Sequence, residues 1–543
     1  MKLGTRSTVL IGVAAVGISL AAGAFLLLTP GPSADGNRFG SVHFPISCAS
    51  VQDEFDHAVG LLHNFFYPET VKAFQAVIAE DPDCAIAYWG LAISQRPNPL
   101  VPPFPAANMK AAAEAIQKGT AAAQTTPRES AYLEAIELYY KDYDTVDHRT
   151  RVGLYEQAMQ RLSEQYPDDP EAKIFYALAL NESVDLNDKG LTKQRKAAAI
   201  LNEQAKAQPN HPGIAHYIIH SYDYATLAAL CLPTANLYGQ LASSAPHALH
   251  MPSHIYSMLG MWDESIRANL DSEAASRAWA EKNAPGSMPP RNPHGMDFRT
   301  YAYLQIGDDK SAGQVVKDAA TVTSAAEASL TFDTALAAIP ARYALERGRW
   351  DDAAQIPVRE SRHLPAQSIS RFTRALGAAR AGRVAEARAE LAELEAIEQN
   401  LIAAGDTYWS RQARIQIGAA TAWIMLSENR PDEALAAMTE AAELDDASEK
   451  SIAMENKLLP MRELLGELYL ALGRGSEAAG AFDASLTAAP KRFRTVAGAA
   501  RAARAQNSID DAKRHYGALI ALARNADPNT PDIVEARTYL AEH

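Results

Sequence analysis

The chain has 543 residues, too many for one compact core and enough for several domains or one long array. Hydrophobic residues make up 48% and charged residues 21%, which excludes a disordered chain; 65 acids against 51 bases leave a net charge of −14, which argues against nucleic acid as a general partner. Three cysteines exclude a disulfide-built miniprotein and a four-cysteine zinc site. The sequence holds no CxxCH, P-loop, GxGxxG, GxSxG or HExxH motif, so neither covalent haem nor a bound nucleotide is expected.

The first element is Val9 to Leu28, an uninterrupted run of uncharged residues that as a helix reaches ~30 Å, the thickness of a bilayer core. Lys2 and Arg6 precede it, which sets the positive end in the cytoplasm and exports the rest. Ala22-Gly23-Ala24 fits a cleavage site, but a cut there leaves Phe25 to Leu28 on the mature end, so an uncleaved signal anchor is the favoured reading over a secreted form. Residues 1–40 are thus an anchor and a Pro/Gly-containing linker, and the membrane is a partner through this helix alone. The body would face the periplasm or the cell exterior. In such an oxidising compartment Cys48 and Cys84 can pair, or can be two separate buried thiols; Cys231 is expected in the core.

From about residue 50, Ala/Leu-rich helical stretches alternate with short breaks and strand signals are nearly absent. Gly348-Arg349-Trp350-Asp351-Asp352-Ala353 recurs as Gly382-Arg383-Val384-Ala385-Glu386-Ala387, a shift of 34 residues, and Ala478 and Phe482 recur at the same shift as Ala512 and Tyr516. Degenerate copies run through Gly260-Met261-Trp262-Asp263 and Gly307-Asp308-Asp309. Each glycine can close a first helix in the left-handed conformation, and Asp263 or Asp308 can cap the second. This grammar resembles the tetratricopeptide repeat (TPR). The resemblance implies an all-α fold, a right-handed TPR-type α-solenoid of antiparallel helix pairs with a protein or peptide ligand in its concave groove. Residues 41–300 form a degenerate half carrying a histidine cluster, and residues 301–543 a more regular half.

Five of the 14 histidines fall between His216 and His254. Counted back from Gly260, His254, His250 and His247 stand at −6, −10 and −13; counted back from Gly307, Tyr301, Asp297 and His294 take the same offsets. The unit before closes near Thr226, which puts His220 at −6, His216 at −10 and Asp223 at −3. Spacings of three, four and seven share one helix face. In TPR proteins those offsets face the groove, so imidazoles on neighbouring first helices can converge on one ion. The candidate ligands are His216, His220, Asp223, His247, His250, His254, His294 and Asp297, with Asp223 or Asp297 able to orient a ring instead. Zinc is the first choice of metal and copper the second.

HYIIH (216–220) followed by PHALHMPSHIY (246–256) resembles a block shared by exported bacterial TPR proteins, as does the stretch from Phe55 to Phe65 with Asp81 to Gly90. That resemblance treats the block as a unit and implies no reaction. Elsewhere, Trp89 reads as core, Asn181-Glu182-Ser183 as a solvated cap, and Lys491, Arg492, Arg494, Arg501 and Arg504 as a solvated basic face; His57 and His63 fall on different helix faces. Three functions follow: an anchored scaffold with a histidine-rich zinc or copper site, a metal-free adaptor for a peptide or protein, and a metal-dependent hydrolase using Glu182 or Asp223 as base.

Overall fold

The computed structural model describes residues 38–283, 292–322, 328–452, 454 and 457–543. The expected anchor over Val9–Leu28 lies outside them, and among the described residues no helix is long and apolar enough to cross a membrane. Those residues form an all-helical stack with no strand. Consecutive helices pack on each other, and alternate ones stack as well: Pro293–Gln305 on Leu330–Leu345, then Leu364–Arg380, then Thr407–Ser427.

The repeat is written in its turns. Gly260, Gly307, Gly348 and Gly382 hold φ of +64°, +77°, +59° and +76°, where a Cβ is penalised. The residue after each glycine sends its N–H back into the helix it leaves: Met261 to Tyr256 O, Asp308 to Tyr303 O, Arg349 to Ala344 O and Arg383 to Ala378 O. Asp308 caps the following helix at the Ser311 N–H, as expected. Asp263 does not cap: its helix already begins at Trp262, and its carboxylate pairs with Arg524 instead. The second helix after Gly348 is cut to Trp350–Ala353, because Pro357 follows and the chain runs extended to His363. Ala478, Phe482, Ala512 and Tyr516 are buried at matching positions, so the 34-residue period is a period of core contacts.

The expected break at residue 300 falls inside the helix Pro293–Gln305. One apolar core instead runs continuously from Phe44 to Met258, and Trp89 lies in it against Phe44, Tyr132 and Phe175. Cys48 and Cys84 are joined as a disulfide, and Cys231 is buried and free.

The stack closes on itself twice. Near the N-terminus the helix Gln52–His63 packs on Pro212–Tyr222, and a Cβ at Gly213 would stand 2.3 Å from His63 Nδ1. Further on, Phe493–Ala505 packs on Pro293–Gln305. There the Trp262 indole donates to Lys491 O (3.0 Å), Phe493 N–H donates to Gln305 Oε1 (2.8 Å), and Arg492 donates to the Tyr301 hydroxyl (2.6 Å). Arg492 is fully buried and also pairs with Glu463 (3.0 Å) and Glu346 (2.9 Å). The arginines of the supposed solvated face are therefore partnered: Arg494 meets Glu467, Arg501 meets Asp532, and Arg504 meets Glu535.

Two tests follow. Arg492→Met leaves Glu346 buried without its cation and Glu463 with Arg494 alone, and is expected to cost about 3–5 kcal/mol, read as a lowered urea midpoint. Burial alone would push the Glu467 carboxyl up, but Arg494 and Arg380 outweigh it and hold it down at about 2 against an ordinary 4.5. A depressed carboxyl stabilises the fold above its unfolded value and loses that contribution as pH falls. Glu467→Gln is therefore expected to cost about 2 kcal/mol at pH 7, with the gap to wild type closing between about 4.5 and 2.

Candidate metal centre

His216 and His220 stand one turn apart on Pro212–Tyr222, so both rings leave the same face and their Nε2 atoms come to 3.0 Å. The next first helix is split by Pro252 into Pro246–His250 and Pro252–Met258. Met251 between them keeps helical angles (φ −53°, ψ −38°), and its N–H still reaches His247 O. The path therefore stays helical through the proline, and His250 keeps the helical register. His250 and His254 again lie one turn apart, with Nε2 atoms 3.1 Å from each other. His294 enters from the first turn of Pro293–Gln305.

The six rings make two groups where one point of convergence was expected: His216, His220 and His247, and His250, His254 and His294. Within each group the three ligand-type atoms lie within 4.8 Å of one another. Each group takes an i,i+4 pair from one helix and the −13 histidine of the next; His247 Nε2 meets His216 Nε2 at 3.1 Å. The site is also buried where an open groove was expected: His216 and His250 are wholly enclosed, His220 and His254 nearly so, and His247 and His294 half-buried.

The outward nitrogens define the tautomers. His250 Nδ1 donates to Asn269 Oδ1 at 2.6 Å, and the amide orientation is fixed because Asn269 Nδ2 donates to Ser265 O. His254 Nδ1 donates to Asp223 Oδ2 at 2.8 Å, the oxygen that also accepts from Lys450 Nζ at 2.8 Å. With both Nδ1 atoms carrying the proton, the two Nε2 atoms present lone pairs to each other. His216 Nδ1 donates to His63 O at 2.6 Å, so its inward Nε2 is a lone pair as well, facing both His220 and His247. One lone pair accepts one N–H, so a ring nitrogen is left over there too. His220 Nδ1, His294 Nδ1 and Asp223 Oδ1 are buried with no hydrogen-bond partner.

Burial drives every one of these rings toward the neutral form. His216, His220, His247, His254 and His294 all fall well below the ordinary histidine value, burial first and neighbouring rings next; His250 falls to about 4. Burial pushes the Asp223 carboxyl up, against the pull of Lys450.

Asp223 thus stands behind His254 as an orienting partner, one of the two roles expected for it. Asp297 joins neither histidine group: it is buried against Arg342, whose Nε donates at 2.8 Å. Glu182 is no solvated cap, because it pairs with Arg96 at 2.6 Å in the interior, where burial raises its carboxyl to about 7. Four participants were missed from sequence. Phe65 lies against the first group, held at φ +51°, and Phe298 against the second. Asn269 and Lys450 come from elements carrying no metal-type pattern. An i,i+4 look-ahead from His294 to Phe298 was the one signal available.

A third group, His63, Glu171 and His211, is different in kind. Tyr217 OH donates to His63 Nδ1 (2.9 Å), His63 Nε2 donates to Glu171 (3.0 Å), and His211 Nε2 donates to the other Glu171 oxygen (2.8 Å). His211 Nδ1 caps its helix by accepting from Ile214 N–H. Every ring nitrogen there has a complementary partner, so the group is a structural network that fixes the carbonyl used by His216.

Residues 420–492 match the family model for the tetratricopeptide repeat. No curated protein matches the chain. Among solved structures, the APC/C hetero-tetramer Cut9–Hcn1 aligns over 89% of this chain and 94% of its own at 10% identity, with a TM-score of 0.29, too loose a superposition to define a shared topology. The helix pairs and left-handed turns make the described residues a TPR-like helical repeat stack, and residues 420–492 are the segment that the family model matches.

Glu171→Gln weakens both charge-assisted hydrogen bonds of the structural network and is expected to cost about 2–3 kcal/mol in urea unfolding. A change under about 0.5 kcal/mol would show that the network does not support the fold.

Proposed function

We propose that the protein is an exported TPR-like scaffold whose interior binds a transition-metal ion, zinc or copper, through neutral imidazoles. One observation carries this reading: His250 and His254 both spend their Nδ1–H on oxygen acceptors and turn Nε2 lone pairs toward each other at 3.1 Å. Two facing lone pairs repel and find stability only around a shared cation. Tetrahedral ligation at the usual ~2.0–2.1 Å needs nitrogens only slightly farther apart than this. Asn269 and Asp223 would then be the outer partners that keep the rings aimed. The Cys48–Cys84 disulfide supports an oxidising compartment, and with Val9–Leu28 it favours an anchored, periplasm-facing body.

A second reading, a metal-free adaptor, draws on a cleft of about 860 Å³ between the two halves, lined by Val101, Tyr224, Leu330 and Trp409 among others. Its apolar and aromatic walls suit a segment of a protein partner. The hydrolase reading has both of its candidate bases in ion pairs, Glu182 with Arg96 and Asp223 with His254 and Lys450.

Elemental analysis of the full chain, purified without a histidine tag, separates the first two. The expected result is at least one equivalent of zinc or copper, lost in the His250→Ala/His254→Ala double variant. Protein that stays metal-free, with a melting temperature unmoved by either ion, would leave the adaptor.

A further inference from the structure

The two histidine groups are copies of one design. In each, one helix supplies a pair spaced i,i+4 and the first turn of the next helix supplies the third ring. A phenylalanine lies against all three: Phe65 at 4.4, 6.0 and 5.4 Å from His216, His220 and His247, and Phe298 at 4.9, 4.8 and 5.0 Å from His250, His254 and His294. The groups adjoin, with the His220 and His254 rings 6.3 Å apart and the His247 and His250 rings 6.1 Å apart. Six imidazoles therefore line one compartment as two sets of three nitrogens.

The charge around them is unusual for a pair of divalent ions. Imidazole ligates as a neutral group. Among the described residues the only carboxylate hydrogen-bonded to the six rings is Asp223, and Lys450 sits on the same oxygen. Two divalent ions here would repel each other four times as strongly as two monovalent ones, in a buried setting where screening is weak. Three imidazole nitrogens hold copper as well as zinc, and copper(I) is the ion of that set that brings the least charge into two adjoining buried sites.

Resting on the metal-binding reading above, we propose that the two triads hold a pair of copper(I) ions and that the pair takes up dioxygen between them. Each copper gives one electron. The O–O π bond is reduced and the O–O σ bond kept, so the product is two copper(II) ions bridged by peroxide, with no proton entering or leaving. The total charge is +2 before and after. Among the described residues Asp223 is the one carboxylate on these rings and it is shared with Lys450, so oxidation is favoured when an anion arrives with it, and dioxygen supplies the oxidant and the anion in one molecule. The cleft between the halves reaches His220 and provides the path inward.

The test uses the full-length chain, freed of metal and titrated with copper(I) under anaerobic conditions against a chromophoric chelator. Two equivalents are expected. Admitting air should then consume one dioxygen per two coppers and give a near-ultraviolet charge-transfer band without a copper(II) EPR signal, because the two spins couple through the bridge. His247→Ala, with folding checked by circular dichroism, should keep one copper and show an isolated copper(II) signal on oxidation. The wild-type stoichiometry decides the matter even if that variant does not fold. A single equivalent, preference for two zinc ions over copper(I), or two coppers that oxidise to separate EPR-visible ions would each overturn the pair while leaving metal binding in place. Protein that binds neither zinc nor copper removes both readings together.

Discussion

In three of the six imidazoles of the buried cluster, a group outside it takes up the second ring nitrogen. In this protein those acceptors are a backbone carbonyl at His63, an amide at Asn269 and a carboxylate at Asp223. They come from three separate segments, and each fixes a tautomer as well as a position. The inward lone pairs are thus imposed by the surroundings. The contrast with His63 and His211 makes the point, since the same residue type there has every nitrogen satisfied by protein and has no valence to offer an ion.

Those acceptors can be held only because the helical stack does not remain open. Packing of Gln52–His63 on Pro212–Tyr222 brings the His63 carbonyl to His216, and the absence of a side chain at Gly213 permits the approach. From the other side Lys450 reaches Asp223 across 227 residues of sequence. The buried Arg492 ties its own repeat to Tyr301, Glu346 and Glu463. A solenoid buries its core between neighbours; here long-range polar contacts add an enclosed interior, and the histidines lie inside it.

This division explains what the sequence could and could not reveal. The turns were legible because a left-handed closing residue favours glycine, and from Gly348 to Gly382 it recurs with its neighbours at the 34-residue spacing. The i,i+4 histidine pairs were legible because helical geometry alone places them side by side. Burial of the cluster, the role of Lys450 and the pairing of Arg492 were not, because they depend on closure between segments hundreds of residues apart. Asp297 was misassigned for the same reason: its offset marks an inward-facing position, but only the arrival of Arg342 decides which partner it has.

The third frame carries the argument furthest. Asp297 and Tyr301 occupy the offsets that hold His250 and His254 one frame, and His216 and His220 two frames, earlier in the stack. They too point inward and are buried, but meet the guanidinium groups of Arg342 and Arg492. The repeat therefore supplies one recurrent inward pair, and the charge brought against it sets its use. Where arginines arrive, the pair is an acid and a phenol that lock the stack. Where the pair is histidine, as at His250 and His254, the protein's cation Lys450 is held on Asp223, the Nε2 lone pairs are left facing one another, and a metal ion is the partner that the proposed function would bring against them.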